Sequence, residues 1–111
     1  EFIQLTGNDD NALEFNKLGG VGAIGVTANI AAKLSSDFQK ACVEDKDKAI
    51  KLNNILQPLH TAMFIESNPS PVKYAGSLLG FCSPDVRLPL VEVRKETKNI
   101  ISEALKVAKL L

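Results

Sequence analysis

Gly19-Gly20-Val21-Gly22-Ala23-Ile24-Gly25-Val26-Thr27-Ala28-Asn29 runs from a glycine turn through an apolar stretch to a capping residue. The glycines supply a turn, and Ala23–Thr27 is apolar on both alternating faces, the pattern of a strand buried on both sides in a parallel sheet. Asn29 stands before Ile30-Ala31-Ala32, where its side-chain oxygen is predicted to cap the free N–H groups of a first helical turn. The stretch therefore reads as a βα unit with its functional edge at Thr27-Ala28-Asn29.

Upstream, Phe2–Thr6 is short and apolar and gives way to the turn residues Gly7-Asn8-Asp9-Asp10, so a second strand ends in a polar loop. Asp9 or Asp10 is placed to cap a helix over Ala12–Leu18, which Gly19 ends as a C′ residue. The order is β-α-β-α, and two parallel strands alone leave edges and a face uncovered. Further strands are expected before Glu1, which with its non-methionine start reads as an internal position of a longer chain.

Downstream the periodicity is helical throughout. Ile30–Val43 carries Leu34, Phe38, Ala41 and Cys42 on one stripe. From Asp47 to about Glu66, the apolar positions Ala49, Leu52, Leu56, Leu59, Met63 and Phe64 recur at spacings of three and four despite Pro58, which is expected to kink the helix. Ser70-Pro71 reads as an N-cap followed by an N1 proline opening Val72–Leu79, ended by Gly80. An irregular loop to Leu90 precedes a last helix over Arg94–Leu110, where Lys106 and Lys109 complement the dipole. The division expected is 1–45 for the βα units and 46–111 for a helical domain.

Thirteen basic and thirteen acidic side chains cancel over 111 residues, and Arg94-Lys95 is the longest basic run, which argues against nucleic acid as a partner. Apolar runs fall far short of the roughly 20 residues that span a bilayer, so no membrane contact is expected. Cys42 and Cys82 have no metal-type spacing, and reduced thiols in a cytoplasmic protein are the expectation. Gly19-Gly20-Val21-Gly22 precedes its strand instead of joining strand to helix, so it does not build a phosphate site.

The opening stretch, together with Pro58-Leu59-His60, the segment Phe64-Ile65-Glu66-Ser67-Asn68-Pro69-Ser70-Pro71-Val72-Lys73 and Arg87-Leu88-Pro89-Leu90, resembles the C-terminal part of the dihydrodipicolinate synthase family. The resemblance covers nearly the whole chain. It implies an α/β fold: the last two βα units of a TIM (β/α)8 barrel, with Phe2–Thr6 as the seventh strand and Ala23–Thr27 as the eighth, followed by an all-α three-helix extension. It implies a Schiff-base-forming class I aldolase-type lyase of lysine and diaminopimelate biosynthesis, a homotetramer whose substrates are pyruvate and aspartate semialdehyde, with no cofactor or metal. Pyruvate-dependent relatives on the same fold, acting on N-acetylneuraminate or ketodeoxy sugar acids, are the alternative, as is a non-catalytic helical interaction module.

By the same resemblance, Gly7 and Asp9 match a Gly-x-Asp motif facing the aldehyde pocket, and Ile24 matches the position whose backbone carbonyl lies beside the pyruvate-lysine adduct. The family's Schiff-base lysine and its acid/base tyrosine belong to strands with no counterpart here, so no catalytic residue is expected in this chain and the chain alone is expected to be inactive. Read from the residues themselves, Asp9 is also a plain helix N-cap, Ile24 a barrel-filling side chain and His60 a satisfied packing residue. Tyr74 reads as packing with its hydroxyl bonded, and Lys73 as one half of a surface ion pair.

Overall fold

The computed structural model describes residues 2–111, so Glu1, the first residue of the expected 1–45 unit, lies outside the described residues. Among the described residues there are five α-helices: α1 (Ala12–Lys17), α2 (Ala32–Glu44), α3 (Lys46–Ala62), α4 (Ser70–Leu78) and α5 (Lys95–Val107), with 3-10 turns at Asp9–Asn11 and Thr27–Asn29.

Each helix end has a local cause. Gly19 (φ 104°) closes α1 in a Schellman arrangement, its N–H donating to the Asn16 carbonyl at 3.1 Å while Gly20 N–H donates to the Phe15 carbonyl at 3.0 Å. Gly80 (φ 76°) ends α4 in the same way. Asp45 separates α2 from α3 and caps the latter, its Oδ1 accepting from Lys48 N–H at 3.0 Å. α3 runs through Pro58 and stops at Ala62, short of the expected Glu66. The start of α5 is held from a distance: Glu66 Oε2 accepts from Arg94 N–H at 3.0 Å.

Two predicted caps are corrected. Asn29 does not cap α2; a 3-10 turn intervenes, Ala31 N–H donates to the Thr27 carbonyl at 2.9 Å, and the Asn29 amide donates to the Val26 carbonyl at 3.0 Å. With its amide turned back on Val26, Asn29 leaves the N-cap of α2 to Ala31, which has no side-chain oxygen. Ser70 is the first residue of α4 instead of its cap, which is Pro69.

The predicted strands are also corrected. Phe2–Thr6 and Ala23–Thr27 meet in a single parallel bridge between Thr6 and Ala23. Three backbone bonds join the two segments: Val21 N–H to the Gln4 carbonyl at 3.1 Å, Thr6 N–H to Gly22 at 3.0 Å and Ile24 N–H to Thr6 at 2.9 Å. A parallel pair forms slanted bonds and gains its stability from flanking strands. Here the pairing ends at Ile24, because the next amides turn to a side chain described below. Nor are the segments buried on both sides: Phe2, Ile3 and Ile24 are 85%, 73% and 73% exposed.

The apolar interior is one continuous cluster. It runs from Ala12 on α1 and Phe38 on α2 through Leu56, Leu59 and Met63 to Ile101 and Leu105 on α5. α3 lies at its centre, packed by α2 on one side and α5 on the other. The stripe Leu56, Leu59 and Met63 is almost completely removed from solvent.

Candidate functional site

The bridge at Thr6–Ala23 brings the two loops that follow the extended segments to one end of the molecule. Asp9 joins them. Its Oδ2 accepts from Val26 N–H at 2.7 Å and from Thr27 N–H at 3.0 Å, seventeen and eighteen residues along the chain. The carboxylate therefore caps the second loop's turn, and no side-chain cap forms on its own helical turn, as the plain N-cap reading required. Gly25 makes the approach possible, since a Cβ there would overlap the Asp9 carboxylate.

The first loop is ordered by its own polar groups. Thr6 is buried, and its hydroxyl accepts from Asn8 N–H at 3.1 Å and donates to Asn11 Oδ1 at 2.8 Å. Gly7 lies exposed between them, and Ile24 stands across the bridge with its side chain exposed and its carbonyl accepting no hydrogen bond among the described residues. Gly7, Asp9 and Ile24, separate in sequence, thus share one edge.

The helical part reaches this edge through two side chains of α3. Gln57 Nε2 donates to the Asp10 carbonyl at 3.0 Å. His60 Nδ1 lies 2.7 Å from Thr27 Oγ1, with Thr27 completely buried and His60 5% exposed. Burial pushes the imidazole below its usual value of 6.5, against an opposing pull from the Asp9 and Asp10 carboxylates. Burial thus favours the neutral ring, and in the tautomer with the proton on Nε2 the Thr27 hydroxyl donates to Nδ1. A cleft of about 420 Å³ opens beside it, lined by Asn8, Asp9, Asp10, His60, Thr61 and Phe64 among others.

The packing role expected for His60 holds, but its bond to Thr27 was not legible. The available signal was its register: four residues after Leu56 and three before Met63, it lies on the buried side of α3. Tyr74 has no hydroxyl partner among the described residues; Lys98 Nζ lies 5.4 Å from its ring centre. Lys73 forms no ion pair among the described residues. The two cysteines are free. No lysine lies on either extended segment, and no group of three His, Cys, Asp or Glu side chains among the described residues could hold a metal ion.

Comparison with known proteins gives a consistent result. The Dihydrodipicolinate synthetase family profile matches residues 1–108. The 4-hydroxy-tetrahydrodipicolinate synthase of Pelagibacter ubique is 66% identical over all of this chain, which covers 39% of that protein. A monomeric dihydrodipicolinate synthase variant superposes with a TM-score of 0.95 at 35% identity, over 99% of this chain and 37% of the other. The dihydrodipicolinate synthase of Acinetobacter baumannii, solved in complex with pyruvate, superposes with a TM-score of 0.92 at 37% identity, over 99% of this chain and 38% of the other. The chain spans about two fifths of the length of the relatives it matches.

Proposed function

Because this chain belongs to the dihydrodipicolinate synthetase family, we propose that it is the C-terminal part of a cytoplasmic lyase that condenses pyruvate with aspartate semialdehyde in lysine and diaminopimelate biosynthesis. In this reading residues 1–45 complete a (β/α)8 barrel and 46–111 form its helical extension. The observation that carries the reading is the gathering of Gly7, Asp9 and Ile24 at one end of the paired segments, in a chain matched by the family over nearly all its length. Active sites of such barrels are built at the C-terminal ends of the strands, and the reading puts the paired segments in the place of two of those strands.

The roles rest on the family resemblance, and the geometry is compatible with them. In the whole enzyme a lysine amine adds to the pyruvate ketone with loss of water, and the resulting enamine attacks the aldehyde. This chain supplies the edge against which that happens. The unengaged carbonyl of Ile24 faces the adduct, Gly7 leaves the mouth of the aldehyde pocket open, and Asp9 fixes the loop that carries Ile24. The nucleophile and the acid/base tyrosine come from other parts of the enzyme, which assembles as a homo-oligomer.

Borohydride trapping with labelled pyruvate tests both halves. The whole enzyme is expected to retain label, and the 111-residue chain alone none. Label on the isolated chain, or none on the whole enzyme, would overturn the reading.

A further inference from the structure

We infer that His60 is a positioning residue for the substrate edge, acting through the Thr27 hydroxyl to hold the loop that carries the Ile24 carbonyl. The inference rests on the reading above only for its activity readout.

The loop is held from three sides. Ile24 N–H is bonded to Thr6, Val26 and Thr27 N–H to Asp9, and Thr27 Oγ1 to His60. Two of these ties come from the other loop, itself exposed at Gly7 and Asn8. The third comes from the middle of the buried stripe of α3, where Leu56 and Leu59 are 1% and 0% exposed. It is the tie anchored in the buried core.

The chemistry suits a positioning role. Thr27 is completely buried, so without His60 its hydroxyl has no solvent to turn to, and a buried unpaired hydroxyl is costly. No other side chain among the described residues bonds Thr27 Oγ1. The Thr27 residue that His60 grips by its side chain is the one Asp9 grips by its amide, so loosening one tie loosens the other. His60 does not need to touch substrate; it acts three residues from the Ile24 carbonyl, and small misplacements of a positioned group are felt strongly in rate.

The test uses the whole enzyme with His60→Leu, His60→Asn, Thr27→Val and the double variant His60→Leu/Thr27→Val. Asparagine presents an oxygen close to the position of Nδ1 and can accept from Thr27, whereas leucine cannot. His60→Leu and Thr27→Val are each expected to speed amide exchange at Val26 and Thr27 and to lower kcat/KM for pyruvate by about tenfold. The double variant should lose no more than either single one, and His60→Asn should restore both readouts.

Unchanged exchange in His60→Leu and Thr27→Val, multiplying losses in the double variant, or no rescue by asparagine overturns the inference. If His60→Leu does not fold, Thr27→Val against Thr27→Ser decides it, since serine keeps the hydroxyl. A wild-type enzyme that traps no pyruvate refutes the functional reading alone, and amide exchange still judges the clasp.

Discussion

The Asp9 carboxylate occupies the space that a side chain on Gly25 would need. Two loops can interlock there only because one of them has no Cβ. Gly25→Ala is therefore expected to destabilise the folded enzyme by about 1–3 kcal/mol, by forcing the buried carboxylate off the Val26 and Thr27 amides. Gly7→Ala is the control: nothing lies within 4 Å of a Cβ at Gly7, and its effect should stay within about 0.5 kcal/mol. Urea unfolding of both variants makes the comparison, and equal midpoints would refute it.

Asp9→Ala leaves the buried amide of Thr27 without a partner, at a cost of about 1–3 kcal/mol. Asp9→Asn keeps an acceptor oxygen and should recover much of that loss. Because the carboxylate serves the Ile24 loop, Asp9→Ala should slow imine formation with pyruvate as well as the later aldehyde step. Single-turnover trapping separates the two, and a defect confined to the aldehyde step would show that Asp9 binds substrate instead.

His60 is held neutral in the folded chain, so its proton affinity is lower folded than unfolded. The unfolded state then binds the extra proton, and the stability contributed by the neutral ring is fully present above its usual value of 6.5 and falls as pH drops through the lowered one. Melting temperature measured from pH 7.5 downward should decline in the wild type more steeply than in His60→Asn. Parallel curves would show that the imidazole is not the group responsible.

Phe2, Ile3, Leu18, Val21 and Ile24 are exposed at 85%, 73%, 89%, 64% and 73%, a concentration of apolar side chains on the paired segments and the end of α1. At about 25 cal/mol per Å², several hundred Å² of such surface in water amounts to on the order of 10 kcal/mol. The 111-residue chain by itself is therefore expected to self-associate. Sedimentation at several concentrations measures it, and a concentration-independent monomer would contradict the expectation.

The helices were legible because their causes are local. The stripe Leu56, Leu59 and Met63 sets the buried face of α3, Gly19 and Gly80 stop α1 and α4, and both glycines adopt the positive φ that their places at helix ends suggested. The edge was legible only in part: Gly7, Asp9 and Ile24 were named by resemblance, and their order along the chain says nothing of what their polar atoms bond.

Periodicity and turn residues in the sequence by themselves determined which stretches are helical, that Gly19 and Gly80 close two of them and which sides face inward, since those choices are made within a few residues; other ends, such as the stop of α3 at Ala62, were not set this way. Tertiary structure alone decided that Asp9 caps a turn seventeen residues away and that His60 takes Thr27 as its partner. A buried polar group must find some partner, and many residues could serve. Which one does is set by the segments that packing brings together, and neither residue of such a pair carries that information alone.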